Sequence, residues 1–282
     1  MPKAASPWTC PNCDLVRNSP YCPECGEEPL RSHHLSIADI AHQTLMTLSE
    51  VDGRLLRSLR FAITRPGALT SAYVAGRRTP FLNPFALFLV ANGIFFALQS
   101  AVKTNIFASP LESQLHRQDW SALAQTLVAG RLAAKGMTLE SYAPLFDQFA
   151  VLYAKSLIIL MVFVFAGILA LIFWNRRRPF GAHVVFALHF YVFQLLLFCG
   201  ALLLANGDLA LGGGGLSSWT VDITLTVVNL TLCAVYLRVA IRKVYAARGI
   251  AGAGQMIVLA LMSIAMVPAY RFTIFVITLY LT

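Results

Sequence analysis

Five stretches of the chain are long enough and apolar enough to cross a membrane as helices, and they limit the possible folds more than any other feature. A helix needs about 20 mostly apolar residues to cross the hydrocarbon core. The stretches are 82–102, 149–174, 182–205, 219–240 and 255–280. Trp174, Trp219 and Tyr280 lie at their ends, where aromatic side chains collect at the membrane interface. The sequence therefore predicts an all-α integral membrane helix bundle with about five transmembrane helices.

The composition supports a membrane protein over a soluble globular one. Apolar residues make up 57% of the chain and charged residues 12%, whereas about 25% of the residues in soluble domains are charged. One core cannot bury that much apolar surface, so lipid must cover the remainder. Residues 1–30 are polar and lack the apolar segment of a signal peptide, so we expect membrane insertion to begin at the first internal apolar stretch.

The net charge of +9 has the distribution expected of a membrane topology. Three consecutive arginines occupy 176–178 and four basic residues occur from Arg238 to Arg248, whereas the segment 206–218 has none. Loops rich in Lys and Arg stay on the cytoplasmic side. We therefore predict a multi-pass plasma-membrane protein with a cytoplasmic N-terminus and an external C-terminus, and we expect no nucleic-acid partner.

Four cysteines near the N-terminus form the most specific motif. Cys10 and Cys13 make one Cys-x-x-Cys unit, and Cys22 and Cys25 make a second. On the reducing side of a membrane such pairs favour metal binding over disulfides, and four thiolates suit tetrahedral Zn²⁺. Iron in a rubredoxin-like site is the alternative, although such sites normally have a longer gap between the two units. Because four cysteines leave no open coordination position, we predict a structural zinc ribbon in residues 1–30.

The charge of this ribbon indicates what it binds. Its acidic residues are Asp14, Glu24, Glu27 and Glu28, set against Lys3, Arg17 and Arg31. Because phosphate binding depends on basic side chains, an acidic lobe is a poor nucleic-acid binder. We expect the ribbon to dock a protein partner or to pack against its own membrane domain, and we expect lipids to contact the rest of the chain.

Residues 31–81 are predicted to form cytoplasmic or interfacial amphipathic helices. Ser36 with Asp39 is typical of a helix start, and Arg54–Phe61 alternates basic and apolar residues as a helix at the headgroup boundary does. A soluble helix packed under the ribbon is the alternative. The histidines of this segment are interpreted as solvated linker residues rather than metal ligands; they are His33, His34 and His42.

Residues 82–282 are assigned to the transmembrane domain. Its long outer loop, 103–148, contains a predicted amphipathic helix from Trp120 to Lys135. Residues from Ser141 onward are expected to extend the second span outward.

A short motif leads into the first span. It comprises Arg65-Pro66-Gly67-Ala68, Tyr73 and the run Gly76–Pro84. Together with the four cysteines it resembles a bacterial family of membrane proteins classed only as a domain of unknown function, over roughly residues 8–100. The resemblance implies a bacterial inner-membrane protein with a zinc ribbon and several spans, and it implies no activity.

The same motif has a direct physical interpretation. Arg77 and Arg78 are placed where they can bind lipid phosphates, and Asn83–Pro84 suits a helix start. The alternative is that the motif only shapes the entry of the chain into the membrane.

Polar side chains inside the predicted spans are costly to bury in lipid and therefore informative. Arg271 and Asp222 fall at similar depth, so we predict that they pair; the alternative is that Arg271 reaches the outer headgroups. The other polar residues line a cavity or hydrogen-bond between helices; they are Asn92, Gln99, His183, His189, Gln194 and Asn229.

Three functional hypotheses follow from these features. The first is a membrane-anchored interaction or scaffold protein whose ribbon docks a partner. The second is a small transporter or lipid-handling protein that uses the interior polar groups. The third is a membrane enzyme, which the sparse and scattered acidic residues favour least.

Overall fold

A computed structural model describes residues 7–29 and 53–282. The predicted helix start at Ser36 and the histidines His33, His34 and His42 lie outside these residues. Between 7 and 29 the chain forms a two-stranded antiparallel ribbon of β1 (Trp8–Thr9) and β2 (Val16–Arg17). The Trp8 indole donates a hydrogen bond to the Ser19 carbonyl at 2.7 Å and closes the open end of this ribbon.

The remainder of the described chain is helical. Its α-helices are α1 (Gly53–Thr64), α2 (Ala68–Val74), α3 (Pro84–Ala101), α4 (Leu111–His116), α5 (Ser121–Lys135), α6 (Leu139–Ser156), α7 (Ile159–Ile172), α8 (Phe180–Ala210), α9 (Trp219–Tyr245) and α10 (Gly249–Leu281). Helix α3 begins at Pro84, and the Asn83 side chain accepts a hydrogen bond from the Phe85 amide at 3.0 Å. The Asn83–Pro84 pair therefore caps a helix as the sequence predicts.

Four of these helices are long and apolar enough to cross a membrane: α3, α8, α9 and α10. The predicted span 149–174 is different, because α6 and α7 cover it as two helices inclined by 48°. Neither proline nor glycine lies at this break. At the end of α6 the Ser156 hydroxyl donates to the Leu152 carbonyl at 3.0 Å. Residues 7–29 and 53–282 therefore contain four such helices, or five if the bent pair makes one span.

The chain divides into two compact units. The first comprises the described residues up to Phe95 together with Val162–Ala260. Its core is aromatic: Phe165 stacks on Phe190 with ring centres 4.9 Å apart, and Phe193 stacks on Tyr236 at 4.3 Å. Since every residue from Gly181 to Leu195 of α8 is buried, this helix is the central element of the first unit.

The second unit comprises Phe96–Met161 together with Leu261–Thr282. The predicted helix at Trp120–Lys135 appears here as α5, and residues beyond Ser141 belong to α6. Phe146 packs on Phe275 at 6.0 Å between ring centres, joining α6 to the end of α10.

Candidate metal centre and its attachment to the helices

The four ribbon cysteines converge on one point. Their sulfur atoms all lie within 4.8 Å of one another, and the Sγ atoms of Cys10 and Cys25 are 3.6 Å apart. Sulfurs at the corners of a tetrahedron with metal bonds of about 2.3 Å are separated by about 3.8 Å. Cys10 and Cys22 are fully buried, whereas Cys13 and Cys25 are partly exposed. The cluster is able to hold a metal ion.

The first Cys-x-x-Cys unit is closed by two backbone hydrogen bonds. The Cys10 amide donates to the Leu15 carbonyl at 2.9 Å, and the Asp14 amide donates to the Cys10 carbonyl at 2.8 Å. Asp14 has a φ of 58°, a left-handed conformation that Asp adopts more readily than most residues. The two hydrogen bonds close a tight loop of residues 10–15 around the sulfur atoms.

The second unit repeats this geometry at the equivalent positions. The Cys22 amide donates to the Glu27 carbonyl at 2.7 Å, and the Gly26 amide donates to the Cys22 carbonyl at 2.8 Å. Gly26 has a φ of 71°, the conformation that Asp14 adopts in the first unit. The ribbon is thus built from two copies of one knuckle, and Glu27 occupies the position that Leu15 occupies in the first copy.

The knuckle backbones favour thiolates. Burial opposes ionisation of Cys22, but the backbone amides of Glu24 and Cys25 outweigh it and lower the pKa of the Cys22 thiol to about 6. A hydrogen bond with Cys25, followed by burial, raises the pKa of Cys13 to about 12. One sulfur of the group is therefore ready to ligate a cation, and bound metal would displace the protons that the others share.

Glu27 attaches the ribbon to the helical part of the first unit. Its side chain is only 5% exposed. One carboxylate oxygen, Oε2, accepts hydrogen bonds from the Arg78 amide at 2.8 Å, the Thr79 amide at 3.0 Å and the Thr79 hydroxyl at 2.7 Å. Bonds to a charged acceptor are stronger than neutral ones, and a buried carboxylate requires them. The ribbon is therefore fixed to the loop between α2 and α3.

The two arginines of this loop have different environments. Arg77 is exposed, as a lipid-binding side chain must be. The Arg78 guanidinium lies 4.7 Å from the centre of the Tyr73 ring, a cation–π contact within the same motif. Lipid binding by these two residues stays a prediction, and Arg77 is the more accessible of the pair.

The motif segment packs closely against α8 and α9. Gly67 has a φ of 72°, and a Cβ atom placed on it would lie 2.9 Å from the Cα of Ala240 in α9. Only glycine combines this conformation with such an approach to a backbone. Three residues on, the Thr70 hydroxyl and His189 Nδ1 are hydrogen-bonded at 2.9 Å, and both side chains are buried.

The predicted intramembrane polar residues are distributed over both units. In the first, His189 bonds Thr70, and His183 Nδ1 bonds the Tyr245 hydroxyl at 2.9 Å, so both histidines join helices. Asn92 is partly buried in α3. Asp222 is exposed in the first turn of α9, where the helix dipole favours a carboxylate.

In the second unit, Arg271 Nε donates to the Ile106 carbonyl at 2.7 Å. The predicted pairing of Asp222 with Arg271 would join residues of different units, and it stays a prediction.

Sequence reasoning missed two features of the first unit. Glu27 is one of four acidic residues of the ribbon in the sequence, and nothing local to it indicates that its side chain becomes buried. The basic residues of α9 and the turn after it were interpreted only as a topology signal, whereas they line one cavity; they are Arg238, Arg242, Lys243 and Arg248.

Comparison with known proteins gives one result. A family model described as a protein of unknown function, DUF3667, matches residues 52–96. No curated protein and no solved structure matches the chain. The matched segment contains Gly67, Thr70 and Thr79, the residues that contact Ala240, His189 and the ribbon. The matched segment therefore includes the loop to which the four-cysteine ribbon is attached.

Proposed function

We propose that the chain is a membrane-anchored interaction protein of the bacterial inner membrane, whose Zn²⁺-folded ribbon docks a protein partner on the cytoplasmic side. The observation that carries this proposal is the buried Glu27 carboxylate with its three hydrogen bonds to Arg78 and Thr79. A ribbon fixed in this way holds its outer surface in one orientation relative to the loop, and a partner needs that orientation to recognise it.

The metal serves folding in this account. A four-thiolate shell has no open position for substrate or water, and a module of about 25 residues cannot bury enough apolar surface to fold alone. Metal binding supplies the missing free energy. The short gap between Cys13 and Cys22 favours Zn²⁺ over iron in a rubredoxin-like site.

The outer surface of the ribbon suits a protein partner. Three large apolar side chains are exposed there: Leu15 at 43%, Val16 at 66% and Tyr21 at 56%. Asp14 and Glu28 are exposed on the same small module. Exposed apolar groups beside acidic ones favour a partner whose surface carries apolar and basic side chains.

The contacts of the first unit support a cytoplasmic ribbon. Gly67 of the motif approaches Ala240, and the Arg178 guanidinium donates to the Val244 carbonyl at 3.3 Å. The motif, the arginine-rich turn at 176–178 and the basic end of α9 are therefore neighbours. The positive-inside rule assigns such segments to the cytoplasm, and the Glu27 contacts would keep the ribbon with them.

Site-specific photo-crosslinking in cells tests the proposal. In one variant of the full chain a photoreactive amino acid replaces Val16. In a second variant it replaces Leu211, which is 91% exposed in the turn after α8. We expect Val16 to crosslink to a distinct protein, and we expect Cys22→Ser to abolish that crosslink because the ribbon no longer folds. No crosslink at Val16, or the same products at Val16 and Leu211, would contradict partner docking.

A further inference from the structure

A basic cavity lies where α9 ends and α10 begins. Its volume is about 510 Å³. The residues that line it are Arg238, Val239, Arg242, Lys243 and Arg248. Four of the five are cationic, and all belong to the first unit.

The five residues that line this cavity include no carboxylate, and no Asp or Glu follows Asp222 along the chain. Arg242, Lys243 and Arg248 are exposed. Within residues 53–282, the Nη1 atom of Arg238 is buried and has no hydrogen-bond partner. Four like charges around one cavity repel each other, and a buried guanidinium nitrogen requires an acceptor. An anion in the cavity would supply both the counter-charge and the acceptor.

An apolar groove continues from the basic cavity along α9. It has a volume of about 400 Å³ and shares Arg238 and Val239 with the cavity. Its other lining residues are Leu230, Thr231, Ala234, Val235 and Met256. From Leu230 to Arg238 the groove follows about 12 Å of helix. A free phosphate would leave this groove empty, whereas the acyl chain of a lipid would fill it.

Gly252 in the first turn of α10 makes room for the key arginine. A Cβ atom at this position would lie 2.7 Å from Arg238 Nη1 and 2.9 Å from the Ala247 carbonyl carbon. The missing side chain lets the guanidinium lie between the two helices. Arg238 is thus held where the basic cavity meets the apolar groove.

We propose that this is a binding site for an anionic phospholipid. The phosphate lies among Arg238, Arg242, Lys243 and Arg248, and one acyl chain follows the groove past Ala234 and Met256. The cationic side chains favour an anionic headgroup, and the apolar groove favours a ligand with an acyl chain. The site is separate from the ribbon, so it does not depend on the proposed partner.

Native mass spectrometry of the full chain in detergent tests this site. The protein is titrated with dioleoyl phosphatidylglycerol, dioleoyl phosphatidylcholine and glycerol phosphate in separate arms. We expect phosphatidylglycerol to bind at least about tenfold more tightly than either of the others. Equal binding of the two lipids would overturn the selection by charge, and equally tight binding of glycerol phosphate would overturn the acyl-chain groove.

Matched variants locate the site. Arg242→Gln with Lys243→Gln removes two exposed charges from the cavity, and Arg117→Gln with Lys103→Gln removes two exposed charges from the predicted outer loop. We expect the first pair to weaken phosphatidylglycerol binding on the order of tenfold or more and the second pair to leave it unchanged. Equal effects of the two pairs would overturn the assignment.

A variant of the groove tests the contribution of the acyl chain to binding separately from that of the headgroup. Ala234→Trp fills the groove and leaves every charge in place, so phosphatidylglycerol binding should fall while glycerol phosphate binding stays the same. Unchanged lipid binding in a variant that elutes and unfolds like the parent protein would overturn the groove assignment.

Discussion

Glu27 and Thr79 are joined by two hydrogen bonds, from the Thr79 amide at 3.0 Å and from the Thr79 hydroxyl at 2.7 Å, across 52 positions of sequence. Both bonds end on the same carboxylate oxygen, which the Arg78 amide also contacts. The contact joins the second cysteine knuckle directly to the segment matched by the family model.

Metal content is the first prediction. We expect one Zn²⁺ per chain by elemental mass spectrometry of the purified protein, because four thiolates surround one point. Cys22→Ser should lose most of the metal. Cys199→Ser and Cys233→Ser, which change the buried cysteines of α8 and α9, serve as controls and should retain it. Metal loss in these controls would show that the ligand set is wrong, and iron in the parent protein would show that the metal is not Zn²⁺.

Gly67→Ala should destabilise the first unit. The new Cβ would lie 2.9 Å from the Cα of Ala240, and an L-residue at a φ of 72° adds strain. We expect a loss of about 2 kcal/mol or more, measured by thermal or denaturant unfolding in detergent. Gly93→Ala in α3 is the matched control, because its Cβ meets open space. A helix gains up to about 1 kcal/mol from that change, so equal behaviour of the two variants would argue against the Gly67 contact.

The buried bond between Thr70 and His189 gives a third prediction. Thr70→Val keeps the shape of the side chain and leaves His189 Nδ1 without its partner, which should cost about 1–3 kcal/mol of unfolding free energy. Thr70→Ser keeps the hydroxyl and should behave much more like the parent. In a double-mutant cycle with His189→Leu the two changes should be non-additive. Additive effects would mean that the bond contributes nothing.

The orientation in the membrane can be tested by labelling cysteines in cells. On a background with Cys199→Ser and Cys233→Ser, Asn175→Cys probes the arginine-rich turn and Leu211→Cys probes the turn after α8. The background protein is labelled in parallel, so that labelling of the four ribbon cysteines is subtracted. Both positions are exposed. By the positive-inside rule, a membrane-impermeant maleimide should label Leu211→Cys in intact cells and Asn175→Cys only after permeabilisation. The reverse pattern would place the ribbon outside.

The apolar runs predicted the long helices of this chain well. A helix that crosses a membrane needs about 20 mostly apolar residues, and such a run can be found directly in the sequence. Helices α3, α8, α9 and α10 all fall on predicted spans. The break between Ser156 and Ile159 was missed because hydropathy does not report the direction of a helix axis, and no proline or glycine lies at the break. Cysteine spacing likewise predicted the four-sulfur cluster, since ligand geometry is local.

Contacts between residues far apart in the sequence could not be predicted from the sequence. Glu27 differs in no local way from Glu24 or Glu28, and only the position of Thr79 makes it the buried one. The cavity around Arg238 depends equally on the close passage of Gly252. Periodicity places residues on a helix face, but it does not say which face meets which loop.

Hydrogen–deuterium exchange of the full chain in detergent shows whether Glu27 holds the ribbon against the motif loop. The Arg78 and Thr79 amides should exchange at least about tenfold faster in Glu27→Leu, because leucine has no acceptor for them. In Glu28→Leu, which alters the exposed neighbour, their exchange should match the parent protein. If both variants leave the exchange of these two amides unchanged, the ribbon is not attached through Glu27.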